Sequence, residues 1–352
     1  TVQKNPNYFR ADEGMPYVDT VIYRFIADSN SAVAQLISGE CDIATQDNSL
    51  EDQSELLLKL EQEGVLIPKF ITGTVWEHVA FGINPIPDYD RPDFFEDVRT
   101  RKAIAHCLDR QAVVDTITYG RSIVIDSYIP PEHPLYADGL TQYAYDPDTG
   151  MALLEEVGWV DSDGDGVRDK DGAKLSILYQ TSTNSVRQGT QALVKQMWEA
   201  IGVETELRNI DAAVFFGGDP ASPDTYGKFY ADIEMYTNTF DGTDPEAYMG
   251  NWVCGEVSGP ENQWLGNNIP RWCEGGNAEY QALIDELAVT VDINRRIEVA
   301  KALNDMIVQD YAMIPLVTRG DVSAVQNSLL GVRFNVWDSE LWNIADWSRS
   351  GQ

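Results

Sequence analysis

The sequence predicts an α/β fold with room for two domains, on three observations. Residues 174–181 (KLSILYQT) have strand character, 185–201 follow with helical periodicity closed by Gly202, and 203–210 read as a strand again. Such a strand–helix–strand unit implies a sheet covered by helices. The chain has 352 residues, 43% of them hydrophobic, which is enough for more than one core. Aromatic residues make up 10% and apolar segments recur throughout, so the chain is not of the disordered class.

The other elements follow in order. Residues 17–26 (YVDTVIYRFI) alternate apolar and polar with β-branched and aromatic content and read as a strand. Residues 31–38 (SAVAQLIS) form a helix closed by Gly39, and 41–44 a short strand. A helix is expected over 50–63, with leucines at 56, 57, 58 and 60. Residues 64–72 and 75–84 read as two strands, after which Pro85, Pro87 and Pro92 break the chain. Two helices fill 94–120. An extended, proline-containing stretch covers 123–136, and a helix 146–157. A strand is expected over 229–237, helices over 278–288 and 293–310, and a strand over 314–318. The tail 329–347 carries Trp337, Trp342 and Trp347.

Charge and motifs exclude several function classes. The formal net charge is −32, from 57 acidic and 25 basic residues, so the surface should repel nucleic acid and anionic lipid headgroups. No run of 18 apolar residues encodes a transmembrane helix. There is no G-x-S-x-G, H-E-x-x-H, P-loop or G-x-G-x-x-G, so no enzyme signature is present. A hydrolase using paired carboxylates needs no such signature, and with 57 acids close pairs carry no information.

Four segments recur in a telling order. Residues 97–110 (DVRTRKAIAHCLDR) place Arg101, Ala103, Ile104, Asp109 and Arg110 on an amphipathic helix. Tyr145-Asp146-Pro147, then Leu153-Leu154 with Gly158-Trp159, then 161-DSDGDGVRDKDG-172 complete the series. This order resembles the solute-binding proteins of ABC importers, specifically the peptide/nickel-type group (solute-binding family 5). The resemblance implies a two-lobed fold of the periplasmic-binding-protein type II-like class, with residues 1–84 as part of lobe I, 85–316 as lobe II and 317–352 returning to lobe I. It implies a chain that lacks the family's N-terminal part, as a fragment or processed product. It implies a non-enzymatic, extracytoplasmic protein, anchored at the membrane in its full-length form, that closes its lobes over a solute and presents it to an ABC permease. An oligopeptide is the expected solute, and an oligosaccharide the alternative within the family. A secreted hydrolase using paired carboxylates is the alternative from another class.

Particular residues carry the expected chemistry. In 236–252 (YTNTFDGTDPEAYMGNW) the resemblance puts Asp241 where peptide-binding relatives carry an aspartate that pairs with the ligand's α-ammonium. Phe240, Tyr248 and Trp252 offer faces for packing. Trp76 would line the cleft at the hinge, sharing a strand face with His78 while Glu77 points the other way. Nickel has little support, because His78, His106 and His133 have no convincing ligand partners. No cofactor is required. A structural Ca²⁺ would be held by Asp161, Asp163, Asp165, the carbonyl of Val167 and Asp169, which follow the first part of a calcium loop. Gly172 stands where the usual bidentate glutamate belongs, so a metal-free turn is the alternative. Cys254 and Cys273 bracket a loop rich in Gly, Pro, Asn and Trp, which a disulfide would clamp in an oxidising compartment. Cys41 and Cys107 read as buried free thiols.

Overall fold

The computed structural model describes residues 1–26, 28–48, 50–129, 131, 136–240, 244–335 and 338–350. Strands β1 (Val2–Gln3) and β2 (Thr20–Val21) pair antiparallel. The strand expected over 17–26 is thus realised at two residues only. Among the described residues no strand pairs with 22–26, and Ile22, Tyr23 and Phe25 are exposed. Helix α1 (Ser29–Ser38) is capped by Asp28, whose side chain accepts from the Ser31 N–H, and ends at Gly39 with φ 75°. Strand β3 (Ile43–Ala44) follows, then a 3₁₀ turn over Leu50–Gln53 that leads into α2 (Ser54–Gln62).

The two strands expected over 64–84 are one, β4 (Leu66–Phe81). Gly73 does not break it. A Cβ at Gly73 would lie 2.8 Å from the Asp321 carboxylate and 2.9 Å from the Arg319 carbonyl. The glycine is therefore there for close approach.

Helices α3 (Val98–His106), α4 (Arg110–Ile117) and α5 (Pro147–Val157) each begin at an aspartate whose side chain accepts a first-turn N–H: Asp97, Asp109 and Asp146. The hairpin β5 (Asp169–Lys170) and β6 (Ala173–Lys174) precedes β7 (Ser176–Ser182), α6 (Ser185–Glu199) and β8 (Glu204–Ile210). Then come α7 (Ala212–Phe215), β9 (Ile233–Thr239), α8 (Glu246–Met249), α9 (Ala278–Val289) and α10 (Ile293–Gln309). Strand β10 (Met313–Gln326) extends well past the five residues expected, and β11 (Leu329–Leu330) pairs with β12 (Ser348–Arg349).

The chain divides into two units, 1–74 with 319–352, and 75–318. The expected divisions at 84/85 and 316/317 fall instead at 74/75 and 318/319, inside β4 and β10. The prolines at 85, 87 and 92 follow the first crossing rather than marking it.

The smaller unit packs Val33 and Leu36 of α1, Leu57 and Leu60 of α2, Leu66 of β4 and Val322 of β10 into one core. Ala44 pairs with Ala324 where β3 meets β10 antiparallel.

In the larger unit β4 runs antiparallel to β9, Val75 opposite Thr239 through Phe81 opposite Ile233, while β7 lies parallel to both β9 and β8. Helix α6 covers this sheet as expected. Its Trp198 rests 5.3 Å from the Tyr179 ring and donates from Nε1 to the Ile104 carbonyl of α3. Helices α3 and α5 meet so tightly that a Cβ at Gly150 would fall 2.3 Å from Cys107 Sγ.

Arg101 on α3 and Arg110 on α4, two of the three arginines of the 97–110 segment, are bound to backbone. Arg101 donates to the carbonyls of Phe95, Glu96 and Asp310 at 2.6–3.1 Å. Arg110 donates to the carbonyls of Ile125, Tyr143 and Pro315 and to the Asp126 carboxylate at 2.7–3.0 Å. Both are buried, so each fork satisfies carbonyls that have no access to water.

Candidate ligand-binding site

Four of the five expected ligand residues come together in the larger unit. Strand β4 delivers Trp76, β9 ends one residue before Phe240, and α8 with the 3₁₀ turn after it brings Tyr248 and Trp252. All four are buried, between 1% and 6% exposed, so they form part of the apolar core rather than a solvent-facing wall. Their rings connect through Tyr248, with Tyr128 joining Phe240 to it. Tyr128 stacks on Tyr248 at 4.3 Å and meets Phe240 at 5.5 Å, and Tyr248 meets Trp76 at 5.5 Å and Trp252 at 6.4 Å. Asp241, the fifth, lies outside the described residues.

Strand alternation acts as expected. Trp76 and His78 share a face, with ring centroids 4.8 Å apart, and Glu77 turns to the opposite face. There Glu77 receives Arg187 of α6, whose Nε lies 3.1 Å from both carboxylate oxygens. Arg187 also donates to Ser182 Oγ and Thr237 Oγ1, each at 2.8 Å. Burial pushes the His78 pKa down to about 3, and nearby Arg187 adds to the fall. The ring is therefore neutral at physiological pH. Burial likewise pushes the Tyr248 phenol well up, opposed by the Trp252 indole and the Asn238 amide beside it. Neither neighbour reaches hydrogen-bond geometry with the phenol.

Tyr128 and Asn238 are members of this cluster that sequence reading missed. Asn238 stands opposite Trp76 on β9, and that register was legible only once both strands were paired. Tyr128 comes from the irregular 123–136 stretch, where no periodicity marks a face.

A disulfide joins Cys254 and Cys273. The loop between them is also held from within. Asn268 donates from Nδ2 to the carbonyls of Trp252 and Trp272 at 3.1 and 2.9 Å, and accepts from the Trp272 N–H at 3.0 Å. Cys107 is a buried free thiol, as expected, and burial pushes its pKa up to about 12. Cys41 is free and half-buried, with its Sγ 3.7 Å from Gln35 Oε1.

The acidic loop departs from the calcium pattern at one ligand. Carboxylate oxygens of Asp161, Asp163 and Asp169 lie within 4.8 Å of one another. Asp165 is turned away into an ion pair with Lys174, which holds its carboxyl below the usual range. Asp161 accepts from the N–H groups of Gly164 and Gly166, Asp169 from Ser162, and the N–H of Val167 donates to Asp165. The three gathered carboxylates offer only hard oxygen donors, which suit Ca²⁺ rather than zinc or nickel.

A family model described as bacterial extracellular solute-binding proteins, family 5 middle, matches residues 1–259. The oligopeptide-binding protein AppA of Bacillus subtilis is 31% identical over 220 residues, covering 60% of this chain and 36% of AppA. The dipeptide-binding protein of Escherichia coli is 20% identical over 289 residues, covering 81% of this chain and 47% of that one. Two solved structures share the fold. AppA from Bacillus subtilis, in complex with a nonapeptide, aligns with a TM-score of 0.74 at 23% identity over 99% of this chain and 63% of that chain. The oligopeptide binding protein from Thermus thermophilus, complexed with a pentapeptide, aligns with a TM-score of 0.77 at 23% identity over 94% of this chain and 55% of that chain. The chain thus spans 36–63% of the length of the matched chains. The α/β periplasmic-binding-protein fold expected from the sequence is the fold they have. Among the described residues no helix is long and apolar enough to cross a membrane.

Proposed function

The chain belongs to the bacterial extracellular solute-binding proteins of family 5, and from that premise we propose that it captures an oligopeptide outside the cytoplasm and presents it to an ABC permease, without chemical turnover. The observation that carries this reading is the 236–252 segment. It follows a buried strand with an aromatic group (Phe240, Tyr248, Trp252) and, within the same few residues, the carboxylates of Asp241 and Asp244. Aromatic faces beside carboxylates suit a ligand with an apolar body and a cationic end, which is the chemistry of a peptide N-terminus. The names of the relatives support a peptide over an oligosaccharide: AppA is named for oligopeptides, the Escherichia coli protein for dipeptides and GsiB of Salmonella typhimurium for glutathione.

In this reading Asp241 pairs with the ligand's α-ammonium. A charged hydrogen bond of that kind contributes about 1.5–3 kcal/mol, or roughly 10- to 100-fold in affinity. Asp241→Asn in the full-length protein should therefore weaken a peptide with a free N-terminus by that factor and leave its acetylated form unchanged. Calorimetry of both peptides on both proteins is the test. Equal losses would sink the clamp, and recovery of cleaved peptide would replace the binding role with hydrolysis.

The 161–169 loop has a structural part in the same reading, with Asp161, Asp163 and Asp169 as the oxygens for Ca²⁺. Millimolar Ca²⁺ should raise Tm, and Asp163→Ala should abolish the rise. No shift in the wild-type protein would favour the metal-free turn, with Asp165 paired to Lys174.

A further inference from the structure

Glu234, on β9 in the sheet of the larger unit, has no exposure to solvent. It stands opposite Ala80 of β4 and beside Gln180 of β7, and it shares a sheet face with Tyr236 two residues on. Its Oε1 accepts from Gln180 Nε2, and its Oε2 has no hydrogen-bond partner. An ionised carboxylate sealed in this way, with one neutral donor, would have most of its hydration unreplaced. The groups that face it do not make up the deficit. Arg271 donates to the Ser258 and Lys228 carbonyls at 3.2 and 3.0 Å, and Arg208 is paired with Asp224, so both act on Glu234 through charge alone. His78, on the same face, is neutral. Burial, with the Glu234 charge adding to it, holds the phenols of Tyr89, Tyr226 and Tyr236 neutral as well. Burial likewise pushes the Glu234 carboxyl well above the usual range, against the opposing pull of Gln180 and the two arginines.

The cover over this acid is the disulfide loop. Ile269 packs with Ala80, Phe229 and Tyr236 in one small apolar cluster, so the loop lies on the face that carries Glu234. Arg271, at φ 57°, holds a left-handed backbone that a side chain adopts at a cost, and its guanidinium ties the loop to Lys228 and back onto Ser258. The same loop reaches the candidate site, where Asn268 donates to the Trp252 carbonyl. Ionisation of Glu234 beneath this cover has two outlets. It can draw Arg271 off the loop carbonyls, or it can open the loop to water. Either one loosens the loop.

We infer that Glu234 is a proton-held latch: it keeps its proton in the native fold at neutral pH, and losing that proton frees the 254–273 loop that seals it. This goes beyond the peptide reading and does not depend on it. The sign follows from linkage. The folded carboxyl titrates above the unfolded one, so the native state holds a proton that the unfolded chain has given up. The stabilising effect is full below the ordinary carboxylate range and is lost as pH rises towards the folded value.

The experiment compares the full-length protein with its Glu234→Gln variant, which keeps the shape and the bond from Gln180 but cannot ionise. Burial also raises the carboxyls of Asp232 and Asp321, so only the ratio between the two proteins is read. In urea denaturation from about pH 5 to about pH 8, the unfolding constant of the wild type over that of the variant should grow about tenfold per pH unit. In the same buffers a phosphine should reduce the Cys254–Cys273 bridge faster in the wild type, by a ratio that rises with pH. A flat unfolding ratio would overturn the inference outright. A flat reduction ratio would overturn it too, by showing that the acid has no hold on the loop. Should the variant not fold, infrared spectroscopy of wild-type protein carrying isotope-labelled glutamate gives the answer. A protonated glutamic acid band is expected at neutral pH, and its absence would overturn the proposal.

Discussion

Arg187→Met should destabilise the larger unit by about 3–5 kcal/mol, the usual loss when one partner of a buried ion pair is removed. The pair is nearly sealed, with side chains 6% and 4% exposed for Arg187 and Glu77. The arginine meets both carboxylate oxygens and, through its remaining nitrogens, Ser182 and Thr237. Its removal would take the arginine's charge from the buried Glu77 carboxylate under α6, and its hydrogen bonds from the Ser182 and Thr237 hydroxyls. Replacing both partners, with Glu77→Leu added, removes the stranded charge. The double variant should therefore recover much of the loss, which urea denaturation followed by tryptophan fluorescence would read. A double variant no better than Arg187→Met would mean that packing under α6, not the uncompensated carboxylate, sets the cost.

Breaking the Cys254–Cys273 bridge should cost about 3 kcal/mol on the chain-entropy view, for a loop whose ends are 19 residues apart. The loop keeps internal anchors, chiefly the Asn268 side chain on the Trp252 and Trp272 carbonyls, so the native arrangement should survive with a lower Tm. A double serine variant should melt at the temperature of the wild-type protein in dithiothreitol, and reductant should leave the variant unchanged. A wild-type Tm indifferent to reductant, with both thiols alkylated, would show that the bridge does not contribute.

Much of the fold was legible from local signals. The helices that begin at Asp28, Asp97, Asp109 and Asp146 carry their own start signals, and the Gly39 and Gly158 stops are likewise written in the chain. The 174–210 unit was readable because strand and helix differ in period. Failures came where the deciding partner was distant. Gly73 looks like a strand breaker until Arg319 and Asp321 are seen against it. The 17–26 segment has the composition of a strand, but pairing is a property of two segments, and among the described residues only Val2–Gln3 meets it. The candidate site was half visible. Aromatic residues could be picked out near 240–252, and His78 beside Trp76 by strand alternation, whereas Tyr128 enters through contacts with Phe240 and Tyr248, more than a hundred residues on in sequence. Glu77 offered no hint that its partner stood 110 residues on.

The two buried arginines of the 97–110 segment, Arg101 on α3 and Arg110 on α4, have a consequence for how such chains are found. Both spend their nitrogens on main-chain carbonyls within the larger unit and on its structural carboxylates. A lysine at either position could not reach the same spread of acceptors, so the segment is constrained by scaffold geometry alone. A search that detects proteins by these arginines is thus selecting for a folding requirement and is blind to cargo. Two chains could agree at both positions and carry different molecules, because neither arginine belongs to the ring cluster of the candidate site.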